Sequence, residues 1–406
     1  MAEQKKQKAF SSTELMPQAE MLEIRKSNKS LNIGVPKEIS YQENRISLVP
    51  NAVRLLMKHG HKVIIESNAG KAAHFYDNQY SEAGATIAHS ANEVYKEADI
   101  ILKVGHPDEK ELAMMKHRQI LISTLHLPTQ KADFFKSLIN SKILGIAFDF
   151  IKDRTQTLPV LRSMSEIAGN TAILIASEYM SHPKLGKGNM LGCLSGSAPT
   201  EVLILGAGTV AEYAARAAIG LGAQVKIFDN NIYKLRRLQY NMNARLFTSV
   251  IQPEVLLKAL KTADVVIGAV YAYEGRTPWI ISEEMVMQMK PCSVIIDVSI
   301  DQGGCIETSI PTNHTNPVFV KHDVIHYCVP NIASRVPRTA SYALSNIFAP
   351  ILLNAGEAGG IENLIKTDTG FMQGVYVYNG IITNKNVGET FNLPFQNIEL
   401  LMAAYR

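Results

Sequence analysis

The stretch "EVLILGAGTVAEYAARAAIGLGAQVKIFDNN", Glu201 to Asn231, decides how the rest of the chain is read. An apolar run, a glycine-rich loop, a helix-forming segment and a second apolar run follow in order, the pattern of a βαβ unit. Gly206-Ala207-Gly208-Thr209-Val210-Ala211 comes straight after the strand and opens the helix, the setting that makes a G-x-G-x-x-G/A match informative. Gly206 permits the tight turn, Gly208 lets backbone approach a pyrophosphate, and Ala211 allows close helix-on-strand packing. The helix N-terminus then faces the anion. Asp229 ends the second strand, where a carboxylate accepts hydrogen bonds from ribose hydroxyls and repels a 2′-phosphate, so NAD is expected over NADP. Lys234, Arg236 and Arg237 pull slightly the other way. The plain alternative is a glycine turn followed by a helix-capping Asp.

Outward from this unit, "LNIGVP", "HKVIIES", "ADIILKVG", "RQILISTLH" and "KILGIAFDF" alternate with stretches of helical length. A second series runs through "EVLILGAG", "QVKIFD", "ADVVIGAV", "SVIIDVSID" and "VIHYCVP". The expected fold is α/β, with two doubly wound, parallel-sheet, Rossmann-like domains. Residues 31–160 form the first part of a substrate domain, 161–337 an inserted NAD-binding domain, and 338–406 a return segment led by "TASYALSNIFAPILLNAGEAG". Residues 1–30 read as a polar arm in which "ELMPQAEMLEI" could form a short amphipathic helix.

A chain of 406 residues, 46% of them hydrophobic, has ample material for two cores. A net charge of +4 with interleaved signs lacks the clustered basic footprint of a nucleic-acid binder. The 4 cysteines, Cys193, Cys292, Cys305 and Cys328, show no metal-ligand spacing and suit a reduced cytosol. No apolar run reaches spanning length, and the N-terminal stretch lacks the apolar core of a signal peptide. A soluble, cytoplasmic protein is expected.

A dinucleotide loop needs a partner that presents substrate, and open α/β sheets bind ligands beyond the carboxyl ends of their strands. Lys103 ends "ADIILK", His126 ends "ILISTLH", Asp301 ends "VIIDVSID", and Arg45 follows the first strand in "QENRISLVP". Taken singly, Lys103 and Arg45 read as solvated charges, His126 as a satisfied core histidine and Asp301 as a cap. Together they supply what oxidation of a small amino acid requires. A guanidinium fork holds a carboxylate, an ammonium adds charge, an imidazole moves protons near neutral pH, and a carboxylate steadies an iminium or directs water onto it.

At these residues the sequence resembles the alanine dehydrogenase family, which also includes the soluble NAD-binding part of proton-translocating transhydrogenase. The motifs are "GVPKE…ENRISLVP", "ADIILKV", "LISTLHL", "MSEIAG", "GAGTVA", "SIDQGGCIETS" and "HYCVPNI", in the family's order. The resemblance implies that Arg45 and Lys103 bind pyruvate or alanine, that His126 is the acid/base and that Asp301 is its catalytic partner. It assigns Ser165, Thr209, Val210, Asp229, Lys234, Val298, Ser299 and Asn331, beside Gly206 and Gly208, to the dinucleotide. It implies a homohexamer acting on a small-molecule substrate, with no nucleic-acid or membrane partner. Two segments depart from the family pattern. Lys-Val-Lys-Glu-Pro becomes Lys103-Val104-Gly105-His106-Pro107, and Asn-Met-Pro-Gly-Ala-Val-Pro becomes Asn331-Ile332-Ala333-Ser334-Arg335-Val336-Pro337. The rival readings are an NAD(H)-binding subunit docked on a membrane proton channel, which needs no His and Asp pair, and a lysine-forming saccharopine dehydrogenase.

Overall fold

A computed structural model of the chain describes residues 29–404 apart from 41, 126–129 and 273–275. The "ELMPQAEMLEI" segment lies outside the described residues. Each quoted apolar run contains a strand. The first series gives β1 (Asn32–Val35), β2 (Lys62–Glu66), β3 (Thr86–Ala88), β4 (Ile100–Leu102), β5 (Ile120–Ser123) and β6 (Leu144–Ala147). The second gives β7 (Glu201–Leu205), β8 (Gln224–Phe228), β9 (Phe247–Ser249), β10 (Val265–Gly268), β11 (Val294–Asp297), β12 (Val318–Lys321) and β13 (Val324–Tyr327). Two late strands follow, β14 (Val375–Tyr378) and β15 (Ile381–Ile382).

The first sheet runs β15-β14-β6-β5-β4-β1-β2-β3 and the second β12-β13-β11-β10-β7-β8-β9. Within each, six parallel strands keep the doubly wound order in which the direction of winding reverses between the first strand and the fourth. Antiparallel β12 and the antiparallel pair β14 and β15 extend the edges. Because β14 pairs with β6, the chain's closing segment completes the first sheet, and the second sheet is inserted between β6 and β14.

Parallel strands covered on both faces become continuous apolar runs, since neither face meets water. Ile100 and Leu102 enter one core and Ile101 the opposite one. Val202 and Ile204 likewise separate from Leu203 and Leu205. The helix Pro159–Met180 packs on Thr209–Gly220 and on Pro337–Glu357, so the two crossings between sheets lie side by side. Gly169 makes the first contact possible: a Cβ there would strike the Val210 carbonyl and come 2.8 Å from the Ala214 nitrogen.

The loop leaving β1 is held by the second crossing rather than by its own sheet. Asn44 N–H donates to Ser334 Oγ at 2.9 Å, Ile46 N–H to Ser341 Oγ at 2.9 Å, and Val49 N–H to Ser345 Oγ at 2.7 Å. All three serines are fully buried, and Ser341 and Ser345 share one face of the Pro337–Glu357 helix. Removing either hydroxyl strands a buried N–H. Ser341→Ala and Ser345→Ala should each lose about 1–3 kcal/mol of stability, read from the urea midpoint. Ser181→Ala, at an exposed hydroxyl, should change the midpoint little.

Candidate active site

The glycine loop has the geometry its pattern requires. Gly206 sits at φ +99°, and a Cβ there would collide with the Ala269 carbonyl at the end of β10. Gly208 precedes the first turn of the Thr209–Gly220 helix, which has no side-chain cap. Among the described residues, its own chain neighbours apart, no atom lies within 4 Å of where a Gly208 Cβ would stand. The loop thus offers open space in front of unpaired helix N–H groups, with Thr209 and Val210 at the mouth. Asp229, one residue past β8, accepts Ala207 N–H at 2.7 Å through Oδ2 and Asn231 N–H at 2.7 Å through Oδ1. A carboxylate has about four acceptor positions, so each oxygen keeps capacity for a hydroxyl. Asn231 in turn caps the next helix by accepting Lys234 N–H at 3.1 Å.

β11 ends at Asp297, not Asp301. The apolar alternation of "VIIDVSID" continues into a 3₁₀ turn, Val298–Gln302, which places Asp301 a full turn beyond the sheet. Asp297 organises that turn: its Oδ1 accepts Ser299 N–H at 3.0 Å and its Oδ2 accepts Cys305 N–H at 3.1 Å. Burial pushes the Asp297 carboxyl above its usual range against the pull of these bonds. Ser299 Oγ accepts Val270 N–H at 3.0 Å, tying the turn to the end of β10. Asp301 itself accepts Asn331 N–H at 2.9 Å.

Asn331 joins the two sheets. It adopts a left-handed conformation, φ +55° and ψ +49°, in the connection after β13, and its Nδ2 donates to Glu43 Oε2 at 2.8 Å. Glu43 also grips Arg45, with Nε to Oε1 at 2.8 Å and Nη2 to Oε2 at 2.6 Å. Burial alone would raise the Glu43 carboxyl, but the charge and hydrogen bonds of Arg45 outweigh it and hold it below the ordinary range. Arg45 Nη1 lies 3.3 Å from the sulfur of Met164, which precedes Ser165 on the Pro159–Met180 helix. Five N–H donors less these three leave two for a ligand carboxylate among the described residues.

Lys103 follows β4 and is fully buried, which removes its reading as a solvated charge. Its Nζ donates to Glu111 Oε1 at 2.6 Å and Oε2 at 2.7 Å. Glu111 is held in turn by a capping box with Asp108. Glu38 stands 3.8 Å from the same ammonium and accepts Val104 and Gly105 N–H at 2.6 and 3.1 Å. Arg45, Asn331 and Asp301 therefore share one network, Lys103 occupies a neighbouring carboxylate nest, and Asp229 with the glycines forms the dinucleotide-type loop. His126 lies outside the described residues. Just before it, Asp149 receives Thr124 Oγ1 at 2.5 Å and Leu125 N–H at 3.1 Å.

Glu43 and Glu38 lie inside the quoted motif "GVPKE…ENRISLVP" without a role read for them, and Glu111 and Asp149 were not singled out at all. The available signals were the spacing of Glu43 two positions before Arg45, which puts both on one side of extended chain, and the Asp108-x-x-Glu111 capping box.

Two doubly wound sheets, a glycine loop opening a helix, and the half-buried Arg45 and buried Lys103 beyond the first sheet define a two-domain protein of nucleotide-binding type. Residues 34–168 match the N-terminal domain of the alanine dehydrogenase/PNT family, and residues 172–385 its C-terminal domain. An alanine dehydrogenase of Methanococcus maripaludis is 39% identical over 90% of this chain and 98% of its own length. One of Mycolicibacterium smegmatis is 36% identical over 91% of this chain and 100% of its own. A solved L-alanine dehydrogenase, 36% identical, superposes with a TM-score of 0.83 over 89% of this chain and 99% of that one. The chain belongs to the alanine dehydrogenase/PNT family. Among the described residues no helix is long and apolar enough to cross a membrane.

Burial pushes the Glu38 carboxyl from 4.5 to about 7, against the pull of Lys103. An acid with a raised pKa in the fold stabilises the protein below its unfolded pKa, and that contribution disappears as pH rises through the folded value. Between pH 5 and 8 the wild type should therefore lose about 2–3 kcal/mol relative to Glu38→Gln. Urea titrations of both proteins at the two pH values measure the difference. A constant gap would contradict the assignment.

Proposed function

We propose that this chain is an NAD-dependent alanine dehydrogenase, converting L-alanine, NAD and water reversibly into pyruvate, ammonium, NADH and a proton. The observation that carries the reading is the network running from the Arg45 guanidinium through Glu43 and Asn331 to Asp301. It links the residue read as the carboxylate anchor to the residue read as the acid through consecutive hydrogen bonds that run from one sheet's loops to the other's. The identity to alanine dehydrogenases along both domains supports the same reaction.

The residues present fit a dinucleotide. Gly206, Gly208, Thr209 and Val210 would take its pyrophosphate at the open helix end, Asp229 and Lys234 its adenosine ribose, and Ser165, Val298, Ser299 and Asn331 its nicotinamide half. Bound there, NAD supplies the acceptor for the hydride on the alanine Cα. Arg45 holds the substrate carboxylate and fixes which face of Cα is presented, while Lys103, closed on Glu111 beneath the surface, adds positive charge to that side. His126 takes and returns the protons as water adds to the iminium and ammonia leaves. The Asp301 carboxylate stabilises the positive charge that develops on the substrate nitrogen. Closure of the cleft excludes bulk water during the hydride step. The dinucleotide domain is assigned to 161–337 and the substrate domain to 31–160 and 338–406. The family resemblance also supports a homohexamer in the cytoplasm, the first testable by mass in solution.

The first assay is NADH consumption with pyruvate and ammonium; no consumption would remove the reading. His126→Ala and Asp301→Asn should each lower kcat by roughly 10²–10⁴ with NADH binding nearly intact. Full activity in either would remove that residue from the mechanism.

Asp229→Ala should weaken NAD binding by about 10–100-fold, the loss of hydrogen bonds to a charged group, and narrow the preference over NADP. Equal kcat/KM for NAD and NADP in the wild type would contradict the ribose assignment.

A further inference from the structure

We propose that Glu43 is a positioning residue that sets the plane of the Arg45 fork. The inference rests on Arg45 being the substrate's carboxylate anchor. The Glu43 carboxylate is a filled junction. Oε1 accepts Arg45 Nε at 2.8 Å and the Arg45 backbone N–H at 3.0 Å, while Oε2 accepts Arg45 Nη2 at 2.6 Å and Asn331 Nδ2 at 2.8 Å. With about four acceptor positions on a carboxylate, the four short bonds go to the Arg45 guanidinium, the Arg45 backbone and the Asn331 amide, with Ser334 Oγ at 3.5 Å from Oε1 as a longer fifth contact. The grip is on the Nε side of the fork, which turns the remaining N–H groups outward together.

Glu43 is itself fixed from both sides by one hydroxyl. Ser334 Oγ donates to the Gln42 carbonyl at 2.8 Å and accepts Asn44 N–H at 2.9 Å. Gln42 reaches further into the second domain, its Oε1 accepting His314 N–H at 2.5 Å and its Nε2 donating to Thr315 Oγ1 at 2.9 Å. The backbone of the loop therefore stays in place when the Glu43 charge is removed, and what is freed is the guanidinium. Glu38 and Asp149 are the other carboxylates whose fields reach Arg45. Released from Glu43, the fork would swing toward them and away from a substrate.

A competing account makes Glu43 a mere counter-charge that blocks Arg45 until substrate displaces it. The two accounts predict opposite signs. Under positioning, Glu43→Gln raises the pyruvate KM by about 10–100-fold, leaves the NADH dissociation constant within about twofold and lowers kcat at saturating pyruvate only modestly. Under competition, the pyruvate KM falls. Glu43→Asp keeps the charge but shortens the arm, so positioning predicts a raised KM there also, and this variant serves if the Gln protein does not fold. Because Glu43 acts through Arg45, Glu43→Gln combined with Arg45→Lys should be no worse in kcat/KM than Arg45→Lys alone. An unchanged or lowered pyruvate KM, additive effects in the double variant, or an equal loss of NADH affinity would each overturn the inference. A wild-type protein inactive with pyruvate and ammonium overturns the activity reading and this inference with it. An active wild type with an indifferent Glu43→Gln overturns this inference alone.

Discussion

Three buried hydroxyls hold the loop that leaves β1: Ser334, Ser341 and Ser345 accept the N–H groups of Asn44, Ile46 and Val49. A loop at the carboxyl end of a sheet strand needs partners for its backbone, and buried N–H groups left without them are costly. Here the partners come from the chain that returns from the second sheet. The first strand's ligand loop is thus built onto the start of the crossing helix, so its position depends on how the two halves of the molecule meet. Arg45, at the centre of that loop, inherits this dependence.

The charges in the cleft follow from the same placement. A buried guanidinium or ammonium is tolerated only with a carboxylate to offset its desolvation. Arg45 is matched by Glu43 and Lys103 by Glu111, each in a two-oxygen grip. Glu38 lies second to Lys103 at 3.8 Å, and burial dominates its carboxyl accordingly. The pairing keeps the buried Lys103 and the half-buried Arg45 oriented without depending on a ligand. On the dinucleotide side the logic is reversed: Asp229 takes the Ala207 N–H, but the Thr209–Gly220 helix that follows the glycine loop starts without a side-chain cap. One half of the cleft is pre-paired and the other is left open, as expected if a large anion enters the second and a small one the first.

Most of the sheet framework was legible because doubly covered parallel strands leave an unbroken apolar run, as in "VVIG" and "VIID". β14 (Val375–Tyr378) is a buried apolar run that went unread, and the other strands missed are short or at edges. β9 and β12 are mostly half-buried or exposed, and β15 spans only Ile381–Ile382, so burial wrote little into their composition. The end of β11 was misplaced because an apolar alternation cannot distinguish strand from a 3₁₀ turn that still packs on the core. In the site, the cations stood out as isolated charges at strand ends. Their carboxylate partners did not, since a Glu in a polar loop looks like any solvated acid until the fold buries it. Asp229 and the glycines were readable for the opposite reason: their roles are set by backbone geometry within one contiguous unit.

Gly105 and Ser334 meet the same loop from opposite sides. Gly105 has no side chain, and a Cβ there would lie 2.7 Å from Ser40 Oγ and 3.2 Å from Glu38 Oε2. Ser334 supplies the hydroxyl bound to Gln42 and Asn44. Next to it Arg335 pairs at 2.5 Å with Glu178 on the Pro159–Met180 helix. One side of residues 38–45 is kept clear of bulk and the other offers a hydrogen-bonding group. The loop settles against Gly105, with Glu38 accepting the N–H groups of Val104 and Gly105, while Ser334 holds its far end to the chain that returns from the second sheet. A glycine loosens the chain and a buried hydroxyl without partners costs desolvation. Here the two are compatible, because the loop position that Gly105 permits is the one in which Ser334 finds both its donor and its acceptor.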